Sequence, residues 1–326
     1  MSFDRYAKKI PEGTTPKLDR PDNNRADDAA TYLPSDGLVT AVNVALALGK
    51  PLLVTGEPGT GKTQLAWHVA RFFGLGKPIE FNAQTTSSAK DLFYRYDALA
   101  HFQYTQTQKN LLSPNEIEEL FIHYEALGKA IRDTLLDTAH KPRVVLIDEI
   151  DKAPRDLPND VLAAIDQLRF DVPEIAKKFP AADQPALSAD QRPIIILTSN
   201  SEKNLPDAFL RRVVYYNIEF PSPAALLEIL KVKTTGISEP DLNAIIAHFN
   251  LLRNPDFVKL RKKPATAELI FWAELLPQIG FNPQRLSKLE KLTAAEQKNL
   301  LSSYTVLAKT KEDHDTLRRV LFPDEE

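Results

Sequence analysis

The chain has 326 residues, 43 % of them apolar and 26 % charged, with a formal net charge of −3. That balance describes a globular protein of about two domains with a sizeable core. It does not advertise nucleic acid or an anionic membrane as a partner. Cysteine is absent, which excludes disulfides, thiolate zinc sites and iron–sulfur clusters.

Residues 1–30 are polar and punctuated by Pro11, Pro16 and Pro21, and read as a flexible arm without an apolar signal segment. No run of about 18 apolar residues exists, so no membrane span is expected and the cytoplasm is the expected location. The spacing predicts a helix over 35–48, capped by Ser35 or Asp36 and closed by Gly49 before Pro51. A buried strand over 52–55 follows, then the loop GEPGTGKT, then a helix over 63–73. A short strand is expected over 78–82, a loop over 110–115, a long amphipathic helix over 114–137 and a central buried strand over 144–147. Beyond it come a helix over 157–168, a possible strand at 170–173, a polar loop over 176–192, a strand over 194–197, a short helix over 205–212 and a strand over 213–220. The alternation over 51–220 predicts an α/β fold with a mostly parallel sheet, in a first domain expected over 31–222. From 223 to 326 the segments 223–233, 239–254, 265–276 and 293–308 all read as helix, so a smaller all-α domain with a helical tail is expected.

Gly56, Gly61, Lys62 and Thr63 fit G-x-x-x-x-G-K-[ST] between a strand and a helix. A loop that wraps a triphosphate turns its N–H groups inward, which requires glycine where a Cβ would collide. The helix that follows aims its N-terminus at the same anion. The binding stretch is therefore Glu57, Pro58, Gly59, Thr60, Gly61, Lys62, Thr63 and Gln64, with Lys62 on the outer phosphates and the Thr63 hydroxyl on Mg²⁺. No base-reading motif separates ATP from GTP; Tyr32 and Leu33 are the candidates for the base.

A second site is VVLIDEID, where carboxylates end a buried strand. Asp148 is the acidic partner of Thr63 on Mg²⁺, and Glu149 is the candidate base for an attacking water. Asn200 ends the strand IIILTSN, where an amide can bridge water and phosphate; a turn Asn bonding its own backbone has the same pattern. Arg211 and Arg212 close LPDAFLRR, where a guanidinium can neutralise a transferring phosphoryl group or simply favour a helix C-terminus. The six histidines form no spaced pair and read as structural, and no metal beyond Mg²⁺ is expected.

Taken together, GEPGTGKT, LIDEID, LTSN and LPDAFLRR, followed by a helical tail, resemble the AAA+ ATPases. APRDLPNDVLAAIDQLRFDVPE and EFNAQTTSSAKDL are similar to segments of the MoxR-type group. LRKKPATAELIFWAELL and SYTVLAKTKEDHDTLRR resemble its branch of carbon-monoxide-dehydrogenase accessory ATPases. The resemblance runs over about 32–320. It implies a P-loop αβα nucleotide-binding domain over 31–222 with a helical lid, ATP hydrolysis and a hexameric ring, with Glu149 as catalytic base, Asn200 as sensor and Arg212 (or Arg211) as a finger acting on a neighbour. It further implies that the ring remodels or activates a protein complex, through a partner with a von Willebrand factor A domain. A nucleotide-controlled switch or scaffold in a regulatory or defence system shares every motif; a nucleic-acid motor fits the net acidic charge poorly. The departure lies in the lid: Ala267 precedes Glu268 where relatives carry a nucleotide-sensing arginine. Arg261, Lys262 or Lys263 is then expected to supply the charge; a solvated basic patch reads the same way.

Overall fold

The computed structural model describes residues 29–107, 112–201 and 205–322. Most of the proposed arm over 1–30 lies outside these residues. By contacts the chain divides into two compact units, one of 25–56 and 62–218 and one that joins 57–61 to the helical region from 219 onward.

The first unit is built on five parallel strands, β1 (Leu52–Gly56), β2 (Ile79–Asn82), β5 (Val144–Asp148), β8 (Ile194–Thr198) and β9 (Val214–Ile218), in the order β2-β5-β8-β1-β9. Successive side chains of a strand point to opposite faces. Leu52, Val54, Val144, Leu146 and Ile196 pack with Leu38, Ala41 and Ala45 of α1 (Asp36–Leu48) and Leu65, Ala66 and Val69 of α2 (Lys62–Phe72). Leu53, Val145, Ile147, Ile195 and Leu197 pack on the other side with Leu127 and Ile131 of α5 (Ala126–Leu136) and Leu157, Val161 and Ile165 of α6 (Leu157–Gln167). Burial on both faces explains why the central strands are continuous apolar runs. The Ser35 hydroxyl caps α1 by accepting from the Leu38 amide, and Gly49 ends the helix at φ 58°, in the left-handed region.

The segment expected as one helix over 114–137 is three elements. Helix α4 (Pro114–Phe121) starts on a capping box in which Ser113 and Glu116 satisfy each other's amides. It gives way to β4 (Ile122–Tyr124), which pairs antiparallel with β3 (Tyr94–Tyr96) before α5 begins. The cause is tertiary. The Glu125 amide donates to Phe93 O, and α5 comes so close to that backbone that a Cβ on Gly128 would lie 1.9 Å from the same oxygen. Between β3 and β4 run α3 (Ala98–Thr107) and α4. The loop expected over 176–192 also holds a strand. β6 (Phe170–Val172) pairs with β7 (Lys177–Phe179), and Phe170 stacks on Phe93 and Phe179 at 5.0 Å each. The short helix α7 (Asp207–Leu210) precedes β9.

In the second unit, α8 (Pro223–Lys233), α9 (Glu239–Arg253), α10 (Thr266–Gln278), α11 (Ala294–Ser303) and α12 (Lys311–Leu321) enclose a core around Trp272, Tyr304, Phe249 and Leu269. The fourth helix stops at Ser303, earlier than the expected 308, in a chain of turns through Leu307. Inside the core the Trp272 indole donates to Ser303, and His248 shares a 2.7 Å hydrogen bond with the Tyr304 hydroxyl. Among the described residues no helix is long and apolar enough to cross a membrane.

Candidate active site

The parallel register brings the carboxyl ends of β1, β5 and β8 side by side. That edge is where open α/β sheets present functional groups. β1 runs out at Gly56, and α2 begins at Lys62. The Lys62 ammonium, only 9 % exposed, donates back to Gly56 O at 2.8 Å and so ties the two ends of the loop together. Gly59 and Gly61 have φ of 76° and 88°, a region in which a side chain would be strained. Burial lowers the Lys62 pKa from its ordinary 10.5, against the pull of Asp148, Asp151 and Glu149.

Thr63 is one residue inside α2, and its hydroxyl donates to Asp148 at 3.1 Å. Asp148 also accepts a short hydrogen bond from the fully buried Thr198 hydroxyl. Thr198 in turn accepts from the Glu149 amide at 3.0 Å. One hydroxyl at the end of β8 therefore holds the Asp148 carboxylate and the Glu149 main chain at the end of β5. Sequence reasoning passed over Thr198; its signal was register, because Ile147 pairs with Leu197 and so sets Asp148 beside Thr198.

Glu149 lies at φ 57°, a left-handed conformation that costs a non-glycine residue about 1–2 kcal/mol. Such strain is typical of functional positions. Its carboxylate is 41 % exposed and accepts from Lys152 Nζ at 2.5 Å. The Asn200 backbone N–H donates to the Asp151 carboxylate at 3.3 Å, which ties the turn after β8 to the turn after β5. Gln64 buries its side-chain oxygen with no hydrogen-bond partner among the described residues.

The arginines stand apart from this edge. Arg211 and Arg212 are exposed, and they precede β9, whose Val214 pairs with Leu52 and whose Ile218 pairs with Gly56. They thus enter the sheet at the amino end of the strands, about 13 Å (four residue steps) short of the level at which β1 ends. The structure does not bring them to the chain's own Lys62.

In the helical unit, the loop residues Glu57–Gly61 meet Arg253. Its guanidinium is 2.9 Å from the Glu57 carboxylate, donates to Pro264 O and lies 3.5 Å over the Phe220 ring. Arg261 has a different partner: its guanidinium is 3.5 Å from Glu312, and its amide is held by Asp313. The side chains of Lys262 and Lys263 are exposed. Arg253, at the end of α9, is the cation that reaches the loop, and no motif spacing singled it out.

The donors suit magnesium and a phosphate chain. The Thr63 hydroxyl and Asp148 carboxylate are hard oxygens of the type Mg²⁺ takes, and Lys62 supplies the cation for an anionic ligand.

The family described as AAA domain (dynein-related subfamily) matches residues 51–213, half of the chain. No curated protein matches. Similar solved structures include the FIGL-1 AAA domain in complex with ADP, with 16 % identity and a TM-score of 0.43 over 92 % of this chain and 96 % of that one. A variant of Thermotoga maritima RuvB shares 14 % identity with a TM-score of 0.42, covering 82 % of this chain and 73 % of its own. A katanin structure that addresses self-assembly shares 13 % identity with a TM-score of 0.41, covering 93 % and 98 %.

Proposed function

The chain belongs to the dynein-related subfamily of AAA domains, and from that premise we propose that it hydrolyses ATP to ADP and phosphate and uses the cycle to remodel or activate a partner protein complex. The observation that carries the hydrolytic reading is the chain of contacts Thr63–Asp148–Thr198–Glu149. It brings the Thr63 hydroxyl to the Asp148 carboxylate and holds the Glu149 main chain at the same strand edge. In this reading Lys62 neutralises the outer phosphates. Thr63 and Asp148 hold Mg²⁺, which when bound offsets the charge that develops on the phosphate oxygens. Glu149 accepts a proton from water as the water oxygen bonds to the γ-phosphorus and the bond from that phosphorus to the β-phosphate oxygen breaks. Asn200 orients that water.

The assembly we propose is a cytoplasmic homo-oligomeric ring, hexameric as in the MoxR-type proteins that the sequence resembles, in which Arg212 completes a neighbour's site. What supports it is the placement of Arg212 at the far end of β9. The lid motif of 260–276 supports the MoxR-type assignment, and through it a partner with a von Willebrand factor A domain. The test is Glu149→Gln in the full chain. Nucleotide binding by equilibrium titration is expected to persist while turnover falls about 10²–10⁴-fold, the range of a lost general base. Turnover near the wild-type rate would remove Glu149 from this role.

A further inference from the structure

The turn after β5 folds back on itself. Ile150–Lys152 is a single 3₁₀ turn anchored by the fully buried Ile150. The Lys152 amide donates to Glu149 O at 2.9 Å, and the Lys152 ammonium donates to the Glu149 carboxylate at 2.5 Å. Glu149 has little freedom to escape by moving its main chain, because its amide is fixed on Thr198. Its carboxylate is directed along the turn.

We infer that Lys152 is a positioning residue that restrains the hydrolytic base: it holds the Glu149 carboxylate away from the phosphate site, and each turnover requires that ion pair to open. This rests on Glu149 being the base. An exposed i,i+3 pair on most turns changes nothing measurable. Here the acidic member is the group that must receive the proton of water, so even a weak hold acts on the rate. Both partners are about half exposed, which keeps the hold weak and sensitive to salt.

The experiment measures ATP turnover of the full chain against ATP concentration and ionic strength for wild type, Lys152→Met, Lys152→Arg, Glu149→Gln and the Lys152→Met/Glu149→Gln double variant. Lys152→Met is expected to raise kcat about two- to fivefold at low salt, the size of an exposed ion pair, with KM for ATP unchanged. Lys152→Arg retains the pair and the slower rate. The gap between wild type and Lys152→Met closes as salt rises, because salt screens the pair in wild type alone. The double variant is no faster than Glu149→Gln. A Lys152→Met enzyme no faster than wild type, with Glu149→Gln still slow, overturns the role of Lys152 and leaves the hydrolytic reading intact. Glu149→Gln turning over like wild type overturns both.

Discussion

At the scale of single residues, burial decides which polar groups act and which only hold. Thr198 is completely buried and makes two hydrogen bonds that hold the Asp148 carboxylate and the Glu149 main chain. Such a group is costly to leave unpaired, so both acidic residues are set by it. His248 shows the other outcome. It is buried against Tyr304 and Trp272, and burial lowers its pKa from 6.5 to about 4. The folded chain keeps this ring neutral, while the unfolded chain protonates it below about pH 6.5. Between those values the unfolded state binds more protons, so stability is fully present above pH 6.5 and is lost as pH falls towards 4. At pH 5 the loss amounts to about 2 kcal/mol. Urea unfolding between pH 7.5 and 5, monitored by Trp272 fluorescence, checks it. His248→Gln, which keeps a polar partner for Tyr304, is expected to flatten the slope; an unchanged slope would assign it to other groups.

At the scale of elements, what the sequence made legible was whatever a local pattern controls. The strands β1, β5 and β8 are apolar runs ended by polar residues: Asp148 closes β5, Lys62 opens the helix after β1, and Asn200 lies two residues past the end of β8. The phosphate loop announces itself through glycine spacing. The split of 114–137 was hidden, because Ile117, Leu120, Phe121 and Tyr124 keep a helical period across the break. The strand Ile122–Tyr124 exists only because Tyr94–Tyr96, remote in sequence, pairs with it. The same limit applies to Thr198 and Arg253, whose partners Asp148 and Glu57 are 50 and 196 positions away. Gly128 is the residue on which the split turns. An added Cβ would meet the Phe93 backbone at 1.9–2.8 Å, and main chain yields far less readily than the tip of a side chain. Gly128→Ala is expected to cost about 3 kcal/mol, the upper part of the range for overpacking. Gly74, also in the left-handed region but with nothing within 4 Å of an added Cβ, is the control, and Gly74→Ala is expected to cost about 1 kcal/mol. Urea midpoints of the two variants decide it. Because alanine is favoured over glycine in a helix interior by about 1 kcal/mol, a Gly128→Ala variant as stable as wild type or more so would mean that the close approach of α5 to Phe93 has no weight.

At the scale of the whole molecule, the proposed chemistry divides between the two ends of the sheet. Lys62, Thr63, Asp148 and Glu149 gather at the carboxyl ends of the strands, while Arg212 stands before the amino end of the edge strand β9. It is exposed there and has no side-chain partner among the described residues. An arginine that faces outward at one end cannot serve the phosphate loop at the other end of the same chain. If it acts in hydrolysis, it acts on a second copy through a head-to-tail contact. That makes the division testable by complementation. Arg212→Ala is expected to bind ATP without hydrolysing it, and Lys62→Ala to lose ATP binding. Mixed in equal amounts, an Arg212→Ala subunit keeps its loop and a Lys62→Ala subunit lends its arginine. Random assembly joins the two intact halves at roughly a quarter of the interfaces. Turnover of the mixture should then rise well above that of either variant alone, with sedimentation of the mixture verifying that the subunits assemble together. Assembled mixtures with no gain over the separate variants would place Arg212 outside the catalytic contact and leave Arg211 as the residue to exchange next.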